Sequence, residues 1–366
     1  MCGLYIHIPF CVKKCKYCDF NSFCNMEDLF EDYFLCLRSE IARIKAEGTI
    51  FDTVYIGGGT PTAVPNHYLT DLIKSIDNRT NDAEITVECN PGTVSKEDLK
   101  KLKKSGVTRL SIGMQSTDDD ELKKLGRIHN LKDFEDCYRS ARDAGFDNIS
   151  IDIMFGLPDQ TKEGFLKTLK KAVSYGSEHI SVYALKIEDG TPFSKMQLNL
   201  PTDDESADMY ELCVEILAEN GYDRYEISNF CRDNKISKHN TKYWKTKDYI
   251  GIGAGAYSCY KNKRFSMTRD VSGYIKKILS GESVEENIEP LTQFDQMSEF
   301  VFLGLRMANG ISEEEFKKRF GKDIFDVFGK ELEKYINLEV MEKQNGRIYI
   351  KPEFLYVSNS ILSDFV

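Results

Sequence analysis

The chain has 366 residues, 41% of them hydrophobic, and a formal net charge of −10. This length suffices for one large domain and a smaller one, each around a buried core. The acidic balance, with no basic stripe carrying interleaved aromatic residues, argues against nucleic acid as the partner. No apolar run approaches the roughly 18 residues that span a bilayer, so we expect a soluble protein whose membrane contact is at most transient.

Cysteine usage indicates a reducing compartment. There are 11 cysteines, an odd number, and most of them stand singly. The start Met1-Cys2-Gly3 carries neither a basic segment nor the apolar stretch of a signal peptide. A framework of disulfides is therefore not expected, and we predict a cytoplasmic protein.

The first predicted element is a short apolar strand, Leu4–Ile8, and three cysteines follow it closely. Cys11, Cys15 and Cys18 have the spacing Cys-x3-Cys-x2-Cys. Three thiolates leave one iron of a four-iron cluster open to a ligand, whereas a structural zinc site fills all four positions. Zinc remains an alternative, with Cys2 or Cys24 as the fourth ligand.

Short β-branched runs then alternate with helical patterns about six times along the chain. The predicted strands are Leu4–Ile8, Thr53–Ile56, Glu84–Glu88, Arg109–Ile112, Asn148–Met154 and His179–Leu185. The predicted helices are Leu29–Ala46, Leu69–Ile76, Lys96–Ser105, Leu131–Ala144 and Lys162–Tyr175. This alternation predicts an α/β fold with a parallel sheet, whose ligands lie at the carboxyl ends of the strands.

Several polar or glycine residues stand at those strand ends. The run Gly57-Gly58-Gly59-Thr60-Pro61-Thr62 follows the second strand and lets a backbone approach a ligand closely. Glu88 ends the third strand, Gln115 and Arg127 follow the fourth, and Asp152 lies within the fifth. Each of them alone could equally belong to a turn, a cap or an ion pair, but their shared placement favours a ligand site.

The pattern changes after residue 200. A helix with an acidic start runs from Pro201 to about Asn220, and His239 then precedes the only tryptophan, Trp244. On its own, His239 is either a structural histidine or a ligand. Beyond residue 295, two short helices and two strand-like runs predict a winged-helix-like module that packs against a partner rather than reading DNA. Their ranges are Glu299–Met307, Glu313–Phe320, Leu338–Lys343 and Arg347–Ile350.

Together these motifs resemble the radical S-adenosylmethionine (SAM) superfamily, in the branch of oxygen-independent coproporphyrinogen III oxidase-like proteins, over essentially the whole chain. The resemblance implies a partial (β/α)6 barrel of the TIM type over residues 1–200. It implies a smaller α+β domain with the winged-helix-like end over residues 201–366.

The resemblance also implies the cofactors. Cys11, Cys15 and Cys18 would bind a four-iron, four-sulfur cluster whose open iron takes the amino and carboxylate groups of SAM, and an electron from the cluster would cleave SAM to methionine and a 5′-deoxyadenosyl radical. Positions that contact this SAM are matched by Tyr5, Tyr17, Gly58, Gly59, Thr60 and Glu88, with Ala184 near the adenine. Positions that line a second SAM site are matched by Gln115, Arg127 and Asp152.

Two departures separate the chain from the oxidases of this branch. Phe20 stands where they carry a further cysteine, and only ten residues precede Cys11. Both features resemble the HemW family of haem chaperones, as does His239-Asn240 followed by Tyr243-Trp244, which is similar to a haem-binding element. Tyr257 stands where that family often carries a histidine.

These resemblances favour a haem chaperone without coproporphyrinogen oxidase activity. It would bind haem, with His239 as candidate axial ligand, and pass it to haem-requiring membrane or respiratory proteins. The cluster and SAM would serve a structural or regulatory role, with a homodimer and an electron donor such as flavodoxin or ferredoxin as expected partners. A coproporphyrinogen III dehydrogenase and a radical SAM enzyme that modifies or degrades haem remain the alternatives.

Overall fold

The structure is a computed structural model that describes residues 1–366. The strands are β1 Cys2–Ile8, β2 Phe51–Gly58, β3 Arg79–Cys89, β4 Arg109–Gln115, β5 Ile149–Phe155, β6 His179–Ala184, β7 Asp223–Arg224, β8 Asn229–Cys231, β9 Tyr249–Ile252, β10 Tyr257–Tyr260, β11 Lys263–Met267, β12 Glu285–Pro290, β13 Ile311–Ser312, β14 Met341–Gln344 and β15 Arg347–Ile350. The helices are α1 Phe30–Ala46, α2 Asn66–Ser75, α3 Lys96–Ser105, α4 Asp119–Leu125, α5 Leu131–Asp143, α6 Lys162–Ser174, α7 Asp203–Glu219, α8 Lys238–Trp244, α9 Val271–Ser280, α10 Gln293–Gly304, α11 Glu313–Phe320, α12 Ile324–Asn337 and α13 Asn359–Leu362.

The first half of the chain forms the parallel sheet that the sequence predicts. Strands β1 to β6 pair in chain order, each parallel to the next. All five predicted helices are present, and the seven-residue helix α4 is an addition that the sequence pattern did not predict. The expected α/β fold with six parallel strands is therefore confirmed.

Residues of these strands alternate between two environments. Apolar side chains such as Ile6, Ile56, Val87 and Ile112 face the surrounding helices and belong to a core of 58 buried residues. The other positions of the same strands are mostly polar, and many line a cavity on the inner face of the sheet. Since successive strand residues point to opposite faces, this period of two fixes which side chains reach the interior.

Helix ends follow local chemistry. Ser95 and Asp98 form a capping box at the start of α3, and Thr202 and Glu205 form another at the start of α7. Helix α3 ends at Gly106, whose φ of 109° suits glycine. These caps hold each helix at a fixed distance from the strand that follows.

The chain beyond β6 extends the same sheet at both edges. Strands β8 and β7 join beyond β6, and β9 to β12 join beyond β1, giving the order β12-β11-β10-β9-β1-β2-β3-β4-β5-β6-β8-β7. Two backbone segments approach closely at Gly251, where a Cβ atom would collide with the backbone carbonyl of Tyr257. Strand β9 pairs in parallel with β1, although more than 200 residues separate the two strands in sequence.

The last part of the chain has its own core. Eighteen buried residues between Met297 and Phe365 pack α10, α11 and α12 against the three-stranded sheet β13-β15-β14. The strand predicted at Leu338 begins only at Met341, since α12 continues to Asn337 and a turn with positive φ at Glu339 follows. The division at residue 200 stays a prediction, and the apolar packing divides between Val284 and Met297.

None of the helices is both long enough and apolar enough to cross a bilayer.

Candidate functional site

The three cysteines lie in one loop at the carboxyl end of β1. Cys11, Cys15 and Cys18 are half-buried, carry free thiols and all line the same cavity, whose volume is about 370 Å³. Backbone hydrogen bonds fix the loop, from Cys11 N to Phe23 O at 2.9 Å and from Lys16 N to Leu125 O at 2.9 Å. Three thiols are therefore held around one space, as a three-thiolate cluster requires.

Polar groups stand next to two of the sulfur atoms. Arg127 Nη1 lies 3.6 Å from Cys15 Sγ, and Thr60 Oγ1 lies 3.5 Å from Cys11 Sγ. Burial raises the pKa of the Cys11 and Cys18 thiols, so a bound cationic cluster or a nearby cation is needed to hold them as thiolates. No three His, Cys, Asp or Glu side chains converge on a single-ion position. The donor set fits an iron–sulfur cluster.

The glycine run after β2 packs directly on the cysteine loop. Gly59 N donates to Ile8 O and Thr60 N donates to Phe10 O, both at 2.8 Å. A Cβ atom on Gly59 would lie 3.1 Å from Cys11 Sγ. Glycine is needed here because the two loops approach through their backbones. Gly58, Gly59 and Thr60 line the cavity, and their contact with SAM stays a prediction.

Glu88 lies at the end of β3 with its carboxylate already oriented. Tyr55 Oη donates to Oε1 at 2.7 Å and Gly58 N donates to Oε2 at 3.1 Å. Burial raises the pKa of Glu88 to about 7. A carboxyl group that faces a cavity and titrates near neutrality can accept from, or donate to, a ligand hydroxyl or amino group.

The three residues predicted for a second SAM site line the same cavity. Asp152 accepts from Ser111 Oγ at 2.8 Å and from Ser150 Oγ at 2.9 Å. Arg127 donates to the carbonyl of Gly113 at 3.2 Å and also contacts Asn90 Oδ1. Gln115 adopts a positive φ of 64° at the end of β4, beside an irregularity in the pairing with β5.

Of the remaining SAM positions, two lie at the cavity and one does not. Tyr17 and Ala184 line it. Tyr5 does not; its hydroxyl is 2.9 Å from His7 Nδ1 on the inner face of β1. Phe20, which stands in place of a fourth cysteine, lines the cavity and is 60% exposed.

The predicted haem ligand lies elsewhere. His239 is 0% exposed, and the cavity is lined by its neighbour Asn240 instead. His239 Nδ1 is 2.9 Å from Thr53 Oγ1 and Nε2 is 2.8 Å from Tyr243 Oη. Burial lowers the pKa of His239 to about 3. Both ring nitrogens are thus engaged, which is the geometry of the structural alternative. Tyr257 is 53% exposed on β10, outside the cavity lining.

Sequence reasoning missed several lining residues. Asn90 follows β3 directly, and the expectation that ligands bind at the carboxyl ends of parallel strands could have identified it. Arg109, Ser181 and Tyr183 line the cavity from within strands, and no local pattern distinguishes them from ordinary strand residues.

Comparisons with known proteins cover the whole chain. The pattern of the radical SAM superfamily matches residues 5–172, and that of the HemN C-terminal domain matches residues 291–353. The Heme chaperone HemW of Bacillus subtilis (strain 168) is 35% identical over 100% of this chain and 99% of its own length. The Heme chaperone HemW of Lactococcus lactis subsp. lactis is 35% identical over 99% and 96%.

A solved structure agrees in fold. Coproporphyrinogen III oxidase (HemN) from Escherichia coli superposes with a TM-score of 0.87 at 22% identity, covering 99% of this chain and 89% of its own. The similarity along the full length to the HemW proteins, together with the cysteine loop and the parallel sheet, places the chain by sequence and by structure. It belongs to the radical SAM superfamily and, within it, to the HemW family.

Proposed function

We propose that this protein is a haem chaperone that binds haem and passes it to haem-requiring proteins, including respiratory or membrane proteins. It works in the cytoplasm and has no coproporphyrinogen oxidase activity. The observation that carries the proposal is the similarity, over practically the full chain, to two proteins named haem chaperone. Phe20 supports it, since a phenylalanine cannot serve as the further thiol of the oxidases.

The cavity supports the cofactors of the proposal. Cys11, Cys15 and Cys18 would hold a four-iron, four-sulfur cluster, which when bound supplies one-electron chemistry and an open iron for SAM. The backbone of the glycine run gives SAM a surface without side chains, and Glu88 offers it a carboxyl group already bonded to Tyr55. Arg127 places a positive charge beside Cys15, where it offsets part of the negative charge of the thiolates.

The role of His239 as haem ligand stays a prediction. To reach an iron atom, Nε2 would have to leave Tyr243, and the ring would have to leave its buried position behind Asn240. The cost is two hydrogen bonds, about 1 kcal/mol each. A haem–iron bond could offset it, so a change at this helix on haem binding is part of the proposal.

A paired anaerobic incubation tests the function. Reconstituted protein with SAM and dithionite is given coproporphyrinogen III or, separately, haem; products are read by mass spectrometry and haem binding by absorbance. Bound, unchanged haem without porphyrinogen turnover is the expected result. Protoporphyrinogen formation would make the protein a dehydrogenase, and modified haem would make it a haem-modifying enzyme.

A matched pair of variants tests the cluster. Cys15→Ser should abolish the visible absorbance of the cluster and the binding of SAM. Cys24→Ser changes a free, half-buried cysteine that does not line the cavity, and it should keep both properties. If Cys24→Ser lost the metal as well, the zinc alternative with four cysteine ligands would replace the cluster.

A further inference from the structure

One charged side chain on the inner face of the sheet has no partner. Arg109 begins β4, is 2% exposed and is among the largest fully buried side chains of the protein. Its Nε has no hydrogen-bond acceptor, and no carboxylate forms an ion pair with its guanidinium. A buried guanidinium normally has such partners, because removing its charge from water is costly.

The neighbours that could have paired with Arg109 are bonded to other groups. Both oxygens of Asp152 accept hydrogen bonds from serine hydroxyls, those of Ser111 and Ser150. Both oxygens of Glu88 are taken by Tyr55 and Gly58, and no oxygen of either carboxylate lies within ion-pair distance of Arg109. Both nearby carboxylates are therefore bonded to other groups, and Arg109 is left without an ion-pair partner.

The position of Arg109 relates it to the cavity. Arg109, Ser111, Gly113 and Gln115 are alternate residues of β4 that all line the same cavity, so Arg109 lies deepest of the four, three inward positions below Gln115. The register pairs Arg109 with Thr86 of β3, and its charge acts to lower the pKa of both Glu88 on β3 and His179 on β6. The cavity thus holds a fixed, unpaired positive charge at its inner end.

We propose that Arg109 anchors a carboxylate group of the ligand that occupies this cavity. A guanidinium binds a carboxylate through two parallel hydrogen bonds, which are stronger at a side chain as little exposed as Arg109 than in bulk water. The inference rests on the proposed function, since haem and SAM are the ligands considered. The carboxylates in question are the propionates of haem and the methionyl carboxylate of a SAM molecule at the second site, because the carboxylate of the first SAM would bind the open iron.

Two features make the assignment specific. The cysteine loop lies at the opposite, carboxyl end of the strands, so a carboxylate bound to an iron there is distant from Arg109. Arg127, the other cavity arginine, is already bonded to Asn90 and Gly113. Arg109 is therefore the arginine of this cavity whose donors remain for a ligand.

The test compares ligands with and without the carboxylate. Wild-type protein is titrated with haem and haem dimethyl ester, and separately with SAM and decarboxylated SAM. For one of the two pairs, Arg109→Met should lower the preference for the carboxylate form on the order of 10- to 100-fold. The ester or decarboxylated form should bind to the variant as it binds to the wild type. The pair that responds identifies the source of the carboxylate.

Arg142→Met is the matched control. Arg142 is a half-buried arginine with partners, bonding Tyr138, Phe146 and Glu178 on the outer side of the barrel. Its replacement should lower the melting temperature and leave both preferences intact. Arg109→Met should leave the melting temperature of the ligand-free protein unchanged or raised, since it removes an unpaired buried charge and no hydrogen bond or ion pair. Arg109→Lys keeps the positive charge but lacks the two parallel donors of the guanidinium. It should therefore retain part of the preference for the carboxylate form of the ligand.

Unchanged preferences in both pairs for Arg109→Met, with normal haem and SAM binding, would overturn the inference and leave the proposed function standing. Wild-type protein that binds neither haem nor SAM would overturn both.

Discussion

Gly59→Ala probes the close contact between the glycine run and the cysteine loop. The added Cβ would lie 2.8 Å from Phe10 O, 2.9 Å from Ile8 O and 3.1 Å from Cys11 Sγ. Two of these neighbours are backbone carbonyls, which cannot rotate away as a side chain could. The backbone of one loop must therefore move, and the hydrogen bond from Gly59 N to Ile8 O lengthens with it.

The magnitude follows from this crowding. Overpacking of this kind costs about 1–3 kcal/mol. With an unfolding entropy of ~2.1 cal/mol/K per residue over 366 residues, the melting temperature should fall by about 1–4 °C. The larger effect falls on the cluster, because the displaced segment carries Cys11, and we expect the iron and sulfide content after reconstitution to fall by more than half.

Thermal unfolding of cluster-free protein and absorbance after reconstitution measure the two effects. Gly164→Ala is the control: Gly164 lies in α6, where a Cβ would meet Thr161 Oγ1 at an ordinary 3.5 Å, so alanine should be neutral or stabilise by up to ~1 kcal/mol. If Gly59→Ala matched Gly164→Ala in both measurements, the loops would not be held by backbone contact and the reasoning would fail.

Three further predictions concern buried charges and hydrogen bonds. Burial raises the pKa of Glu40 and of Glu88 from 4.5 to about 7. Between about pH 4.5 and 7 the folded state therefore binds more protons than the unfolded state, so the free energy of unfolding falls as pH rises through this range. Replacing either by Gln should flatten that fall in denaturant titrations, and only Glu88→Gln should weaken SAM binding. Tyr243→Phe leaves His239 Nε2 unpaired, which should cost about 1–2 kcal/mol in denaturant unfolding and tighten haem binding, because Nε2 no longer has to leave Tyr243; unchanged haem affinity would count against His239 as the iron ligand. Arg127→Gln removes a cation beside the cluster cysteines, so a redox titration should give a more negative cluster potential, and an unchanged potential would contradict the contact.

Local sequence patterns predicted the first half of the fold because each element there carries its own signal. Lys96–Ser105 was predicted to the residue, since Ser95 caps its start and Gly106 ends it. The strand predicted at Glu84–Glu88 is shorter than the observed β3, Arg79–Cys89. The first five residues of β3 are polar or small and lack the alternation that marks a strand in the sequence. The pairing of β9 with β1 depends on contacts across the whole chain, and no local pattern encodes it.

At the site, too, features with a local sequence signal could be predicted, whereas features set by distant contacts could not. Residues at the carboxyl end of a strand, such as Glu88 and Gln115, could be predicted to lie together, because parallel strands bring their carboxyl ends to one edge. The surroundings of His239 could not, since its partner Thr53 lies 186 residues away in sequence. Arg109 was read as the boundary of an apolar strand, and its role became visible only when the register placed it on the inner face.

The polar interior explains how this barrel can hold ligands and still fold. Barrels of this type are usually filled by Val, Ile and Leu, which leaves no cavity. Here the inner face carries residues such as Thr86, Ser150 and Ser181, and it gives up the burial of apolar side chains that would fill the barrel. Stability must come instead from the outer layer, where 58 buried residues pack the helices on the sheet. That arrangement keeps the side chains that face the cavity apart from the apolar core. Arg109→Met should therefore report on ligands, whereas Glu88→Gln should change both SAM binding and the pH dependence of stability.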